Sequence, residues 1–231
     1  MDLDNPEFQA LWTLVRDTDQ SVFLTGKAGT GKSTFLRYII SHTRKQHAVL
    51  APTGLAAVNV GGQTIHSFFH LPLQPVLPDD PDFAPERLGK RLNISRRMTE
   101  VLRNIELIII DEISMVRADV IDLIDRILRR YGGDRRRPFG GKQLLLVGDV
   151  FQLEPVVTPS DRDILRRHYP GFFFFNADAF AEFGLASIEL RKVYRQRHGT
   201  FIDILDRCRA GVPTMADMEA INSRCIPGGD E

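Results

Sequence analysis

Short apolar runs alternate with stretches of helical period along most of the chain. The runs are "SVFLTG" (21–26), "HAVLAP" (47–52), "ELIIID" (106–111), "QLLLVGD" (143–149), "GFFFFN" (171–176) and "ASIEL" (186–190). Runs such as "LIII" and "LLLV" carry no alternating polar position, the pattern of strands covered on both faces. "GFFFFN" reads as a buried aromatic strand. Helical period marks "NPEFQALWTLVRDT", "KSTFLRYIISHTR", "TGLAAVNV", "RADVIDLIDRILRRYG" and "GTFIDILDRCRAG", with Gly132-Gly133 and Gly211 placed as helix stops. The repeated strand–loop–helix order predicts an α/β fold, a mostly parallel β-sheet with helices on both faces.

Two stretches break this rhythm. Residues 71–94 hold Pro72, Pro75, Pro78, Pro81 and Pro85 and read as a long excursion from the sheet. "DRRRPFGGK" (134–142) is a shorter loop rich in arginine and glycine. No internal repeat is visible.

Composition narrows the class. The chain has 231 residues, 43% of them hydrophobic, enough for one sizeable core and a small appendage. Lysine and arginine number 30, matching 30 acidic residues, so no global field points to a nucleic-acid partner. Two basic clusters remain, at Arg87, Lys90, Arg91, Arg96 and Arg97, and at Arg126, Arg129, Arg130 and Arg135–Arg137; solvated faces explain them equally well. Cys208 and Cys225 form no C-x-x-C pair, which argues for a reduced compartment and against zinc. The start "MDLDNPEF" lacks the apolar run of a secretory signal, and no stretch has the length of a membrane span. The expectation is an intracellular protein, cytoplasmic if bacterial.

Gly26–Ser33, "GKAGTGKS", fits G-x-x-x-x-G-K-[ST] between an apolar run and a helical segment. In such a loop the backbone N–H groups of Gly26, Ala28, Gly29, Thr30, Gly31, Lys32, Ser33 and Thr34 wrap a polyphosphate, and the helix start adds positive potential. Lys32 reaches the β- and γ-phosphates, and Ser33 ligates Mg²⁺. "LIIIDEISM" ends a strand in Asp111 and Glu112, at the sheet edge where ligands of open α/β folds sit. Asp111 then holds Mg²⁺ through water, and Glu112 polarises the attacking water. "LLLVGDVFQLEPV" places Gln152 three residues beyond another strand-end aspartate, where its amide bonds the γ-phosphate and reports its presence.

Taken in order, these segments resemble the Pif family of superfamily-one DNA helicases, 5′-to-3′ motors related to RecD. "GKAGTGKST" (26–34), "APTGLAAVNVGGQTIHSFF" (51–69), "DEISMV" (111–116), "GDVFQLEPV" (148–156) and "ELRKVYRQ" (189–196) carry the resemblance over nearly the whole chain. It implies a RecA-like phosphate-loop lobe that uses ATP and Mg²⁺ and acts as a monomer on single-stranded and on forked or structured DNA. DNA repair and telomere maintenance are the implied settings. It also implies that Gln9 reads adenine, that Pro52, Thr53, Gly54, Thr64 and His66 touch single-stranded DNA, and that Arg195 reaches the γ-phosphate. Strand-end loops and helix starts offer suitable N–H and hydroxyl donors for phosphates. Glu154 departs from the pattern, standing where the family usually has proline.

The family's motor has two such lobes. Residues 1–190 read as the first, and 191–231 as a linker with the opening of the second. A chain so built is expected to bind ATP and DNA, to hydrolyse weakly and not to unwind by itself. The competing readings are another phosphate-loop enzyme, or a module that binds ATP or DNA without turnover.

Overall fold

The computed structural model describes residues 2–194, 203–205, 207–208 and 210–224. Six parallel strands form one sheet: β1 (Ser21–Gly26), β2 (His47–Ala51), β3 (Gln63–Thr64), β4 (Leu107–Ile110), β5 (Gln143–Val147) and β6 (Leu185–Leu190). Their order across the sheet is β3-β2-β4-β5-β1-β6. Every strand therefore ends at the same edge. The helices that concern the site and core are α1 (Pro6–Asp17), α2 (Lys32–His42), α3 (Gly54–Val60), α4 (Ile65–Phe69), α5 (Leu88–Arg91), α6 (Arg96–Asn104), α7 (Ala118–Tyr131) and α8 (Pro159–Leu165).

The unbroken apolar runs have the cause assigned to them. Successive side chains of a strand point to opposite faces, and both faces of the central strands are covered. Leu107 and Ile109 of β4, with Leu145 and Val147 of β5, join a cluster with Phe8, Leu11 and Val15 of α1 and Phe35, Leu36 and Ile39 of α2. Ile108, Ile110, Leu144 and Leu146 face the other way, into a larger cluster built on α4 to α8. Burying each such side chain contributes roughly 1.5–3 kcal/mol, so the two layers hold the sheet rigid beneath its loops.

Three aspartates on one side of α7 hold the irregular segments. Asp119 accepts from Val76 N–H (3.2 Å) and from Arg117 in a bidentate pair (2.9 Å each). Asp122 accepts from Tyr169 OH (2.7 Å), Asp178 N–H (3.1 Å) and Ala179 N–H (2.9 Å). Asp125 accepts from Phe139 N–H and from Arg129 (2.7 Å).

Those anchors explain where the fold departs from the pattern of the sequence. "GFFFFN" is not a strand. Phe173 makes a single antiparallel bridge to Arg117, and Phe174–Asn176 turn into a 3₁₀ helix. Capture of the 178 and 179 amides by Asp122 folds the segment back on α7 instead of along the sheet. Only Phe174 of the four phenylalanines is buried, and Phe175 is 50% exposed. The 71–94 excursion also packs inward, because Leu71, Val76, Phe83, Leu88 and Leu92 all reach the larger core cluster. The two-residue β3 and the helix α6 lie outside the elements read from periodicity. Within 199–211, residues 203–205 and 207–208 are helical, and Gly211 (φ +73°) ends the turn by donating to Cys208 O.

Candidate active site

β1 runs straight into the Gly26–Ser33 loop, which folds as glycine demands. Gly26, Gly29 and Gly31 have φ of +151°, +82° and +90°. A Cβ on Gly26 would stand 2.7 Å from Leu190 O and 2.8 Å from Thr30 Oγ1, so the loop is closed against the end of β6. Thr30 is buried, its hydroxyl donating to Lys27 O (2.9 Å). Lys32 opens α2 and donates through Nζ to Gly26 O (2.6 Å) and Lys27 O (3.2 Å), which places its charge inside the curve of the loop. Ser33 and Thr34 are exposed in the first turn of α2. The arrangement offers a concave row of N–H donors, a helix start and an ammonium group, a cradle for a polyphosphate.

Two more strands deliver carboxylates to this edge. Asp111 follows β4 and is 9% exposed; its N–H donates to Leu50 O (2.9 Å). Burial, reinforced by the charge of Glu112, pushes its carboxyl up to about 6, while Lys32 and Arg37 pull the other way. Glu112 adopts the left-handed conformation (φ +51°, ψ +42°), which costs a non-glycine residue about 1 kcal/mol or more and turns the chain sharply at the strand end. Asp149 follows β5 and is 1% exposed. Its carboxylate accepts from Gln152 Nε2 (3.0 Å) and Phe151 N–H (3.1 Å), so the exposed Gln152 is tied to a buried acid.

A cavity of about 430 Å³ adjoins the start of α2, lined by Asp2, Gly31, Thr34, Phe35 and Tyr194. Tyr194 is secured there, its N–H donating to Gly29 O (2.9 Å) and its OH to Asp2 (2.9 Å). Sequence reasoning assigned neither residue, although Tyr194 stands beside Arg195 in a quoted motif. Gln9 lies on the exposed side of α1, donates through Nε2 to Leu3 O and does not line this cavity. Its neighbour Phe8 stacks on Phe35 at 4.4 Å, which fixes α1 against α2. Arg195 lies outside the described residues. Arg37, which acts on Asp111 through its charge, also went unassigned.

The β2 and β3 ends supply the remaining residues. Thr53 caps α3 by accepting from Ala56 N–H (3.2 Å), and Thr64 caps α4 by accepting from Ser67 N–H (3.2 Å). Gly54 opens α3, with no atom near the position a Cβ would take. Pro52, Thr53 and His66 share a cavity of about 210 Å³ with Ile65, Met115, Val116, Arg117, Val120 and Val156. Burial and the Arg117 charge hold the His66 pKa below its ordinary value, favouring the neutral ring. The structure thus brings Pro52, Thr53 and His66 together and sets Thr64 one residue before α4. Glu154 is exposed in the loop after β5. Among the described residues no cluster of three or more His, Cys, Asp or Glu is arranged to hold a metal ion, and no helix is long and apolar enough to cross a membrane.

Known proteins share this architecture. In solved structures, a Pif1 helicase in a study of forked-duplex unwinding by two coordinating Pif1 molecules superposes with a TM-score of 0.86 at 43% identity, covering 96% of this chain and 52% of that one. Bacteroides Pif1 bound to single-stranded DNA superposes at 0.84 and 42% identity, covering 98% and 51%. Among curated relatives, the ATP-dependent DNA helicase PIF1 of Saccharomyces cerevisiae is 40% identical over 201 residues, 84% of this chain and 22% of its own length. Pif1 of Bdellovibrio bacteriovorus is 33% identical over 219 residues, 94% and 46%. The chain thus spans about half of the solved relatives and less than half of these curated ones. The family model described as PIF1-like helicase matches residues 8–212, nearly the whole chain. On that match and these identities, the chain belongs to the PIF1-like helicase family.

Proposed function

We propose that the chain is the ATP- and DNA-binding lobe of an ATP-dependent DNA helicase, driving 5′-to-3′ movement on single-stranded DNA when joined to a second lobe. One observation carries the reading. The all-parallel sheet delivers the phosphate loop, Asp111-Glu112 and Asp149–Gln152 from β1, β4 and β5 to one edge, and Pro52–Gly54 and Thr64–His66 from β2 and β3 beside them. Nucleotide and strand are then held by neighbouring loops of one rigid sheet.

In this reading Lys32 places a point charge on the β- and γ-phosphates while the loop amides fix their position. Tyr194 and Phe35 flank the space open to the adenine, with Gln9 on the adjoining helix. Glu112 accepts the proton of the attacking water, and Gln152 donates to the γ-phosphate. Magnesium suits the hard oxygens of Ser33 and Asp111, since a cation would offset the burial and the Glu112 charge that raise the Asp111 carboxyl. Held by Ser33 and Asp111, the ion would supply positive charge to the phosphates. Arg195 is assigned to the γ-phosphate from the far side of the cleft. Pro52, Thr53, Gly54, Thr64 and His66 contact the DNA backbone. Residues 1–190 form the first lobe and 191–231 lead into the second, and a single copy is the working unit on single-stranded DNA; forked or structured duplexes are its substrates.

The test is steady-state ATPase with and without single-stranded DNA, for this chain and for a protein carrying both lobes. The two-lobe protein should hydrolyse ATP in a DNA-stimulated manner and separate a forked duplex with a 5′ tail. This chain alone should bind Mg·ATP, turn over slowly and separate nothing. Lys32→Ala should abolish or severely weaken nucleotide binding in both. A two-lobe ATPase indifferent to DNA contradicts the proposal.

A further inference from the structure

Asp149 is the most deeply buried carboxylate at the site edge, and the chemistry above gives it no task. Its two oxygens hold two different groups. Oδ1 accepts from Phe151 N–H (3.1 Å), and Oδ2 accepts from Gln152 Nε2 (3.0 Å). The Gln152 backbone adds a turn, N–H to Asp149 O at 3.0 Å. A carboxylate only accepts, so it forces the NH₂ end of the glutamine amide toward itself and fixes which way the amide plane faces. One hydrogen of Nε2 is used, and the second remains for another acceptor. Without this tether an exposed glutamine would sample several rotamers, and a donor in the right place would be a minor population.

We propose that Asp149 is a positioning residue, orienting the Gln152 amide so that its second N–H meets the γ-phosphate. The inference rests on the proposed contact of Gln152 with that phosphate. It makes discrimination of ATP from ADP depend on a residue that touches neither nucleotide. The same carboxylate fixes the backbone of the loop that presents Phe151, Leu153 and Val156, each more than 60% exposed. Val156 lines the cavity shared with Thr53 and His66. The amide that reads the nucleotide and the loop that reaches the candidate DNA cavity therefore share one anchor.

The experiment measures affinities of MgATP and MgADP, by competition against a fluorescent nucleotide, for the chain and its Gln152→Ala, Asp149→Asn and doubly substituted forms. A hydrogen bond to a charged group is worth roughly tenfold or more in affinity. Gln152→Ala should reduce the ATP-over-ADP preference by about that factor and leave ADP affinity unchanged. Asp149→Asn should reduce the preference severalfold, and the double variant should fall no further than Gln152→Ala, since coupled residues are non-additive. Asp149→Ser keeps an acceptor for Phe151 N–H without the reach to Gln152. It should show the same loss with a melting temperature near the parent's, so a poorly folding asparagine variant does not decide the matter. Two results overturn the positioning role alone: equal weakening of both nucleotides by Asp149→Ser, or a parental preference in that variant while Gln152→Ala loses it. If Gln152→Ala itself keeps the parental preference, the γ-phosphate contact is wrong and this inference falls with it.

Discussion

Replacing Asp122 with alanine tests whether buried acids of α7 hold the irregular segments in place. Asp122 is 6% exposed and accepts from the Tyr169 hydroxyl and the amides of Asp178 and Ala179. Alanine leaves all three donors without that acceptor, and the Tyr169 and Ala179 donors are buried. An orphaned buried donor costs about 1–3 kcal/mol. Against this, burial already disfavours the carboxylate, and its pKa is raised despite the three donors. The net loss should be about 2–5 kcal/mol, which for a domain of this size lowers Tm by roughly 5–20 °C. Scanning calorimetry gives the stability, and hydrogen exchange of the 178 and 179 amides gives the location. The pH dependence has a definite sign. A raised native pKa means the folded state binds the proton more tightly, so the contribution of Asp122 is complete below its ordinary value of 3.8 and declines as pH rises through the native pKa. The stability gap between parent and variant should therefore narrow from acid toward neutral pH. A loss under about 0.5 kcal/mol, with fast exchange nowhere near 178–179, would refute the anchoring argument.

Other outcomes follow from the same structure. Glu112→Gln, placed in a protein with both lobes, should keep Mg·ATP affinity and lose hydrolysis; turnover at the parental rate would remove Glu112 from its role. Gly26→Ala must force a Cβ to within 2.7 Å of Leu190 O at φ +151°, so it should weaken nucleotide binding and loosen β6, seen as faster hydrogen exchange in 185–190. Single-stranded DNA binding by this chain should fall with salt at a log–log slope of roughly −1.5 to −2, as for about two or three phosphates. His66→Ala with Thr64→Ala should lower that affinity for every base sequence alike. The ~1 kcal/mol of lost capping at Thr64 is read separately, as a fall in melting temperature.

Much of this is legible in the sequence, for reasons that differ by element. β4 and β5 announce themselves because Leu107–Ile110 and, after Gln143, Leu144–Val147 are consecutive buried positions filled only by apolar residues. The phosphate loop was legible because its glycines must take positive φ, which fixes their spacing. The aromatic run misled because four phenylalanines carry no alternation, and its path is set by Asp122, about fifty residues earlier in the chain. Spacing within α7 shows Asp119, Asp122 and Asp125 only as polar positions, since their partners come from distant loops. The Asp149–Gln152 bond lay inside a motif already in view, yet motif reading assigns the exposed glutamine and passes over the acid behind it. Tyr194 was hidden for a similar reason: its partners, Gly29 and Asp2, lie more than 160 residues away in sequence.

The three aspartates of α7 also bear on how such a chain tolerates change. Each takes hold of a separate excursion by one or two amides: residue 76 on Asp119, residues 178 and 179 on Asp122, residue 139 on Asp125. The exposed part of each excursion can differ in length, because lengthening a loop costs only about 0.6 kcal/mol per doubling, while the apolar residues it buries, such as Phe83 and Leu88, must stay. A loop grafted from a relative should therefore be tolerated where its gripping amides and buried apolar residues are kept. The helix serves as a row of sockets, and the surface of the lobe is exchangeable piece by piece while the strand ends stay where they are.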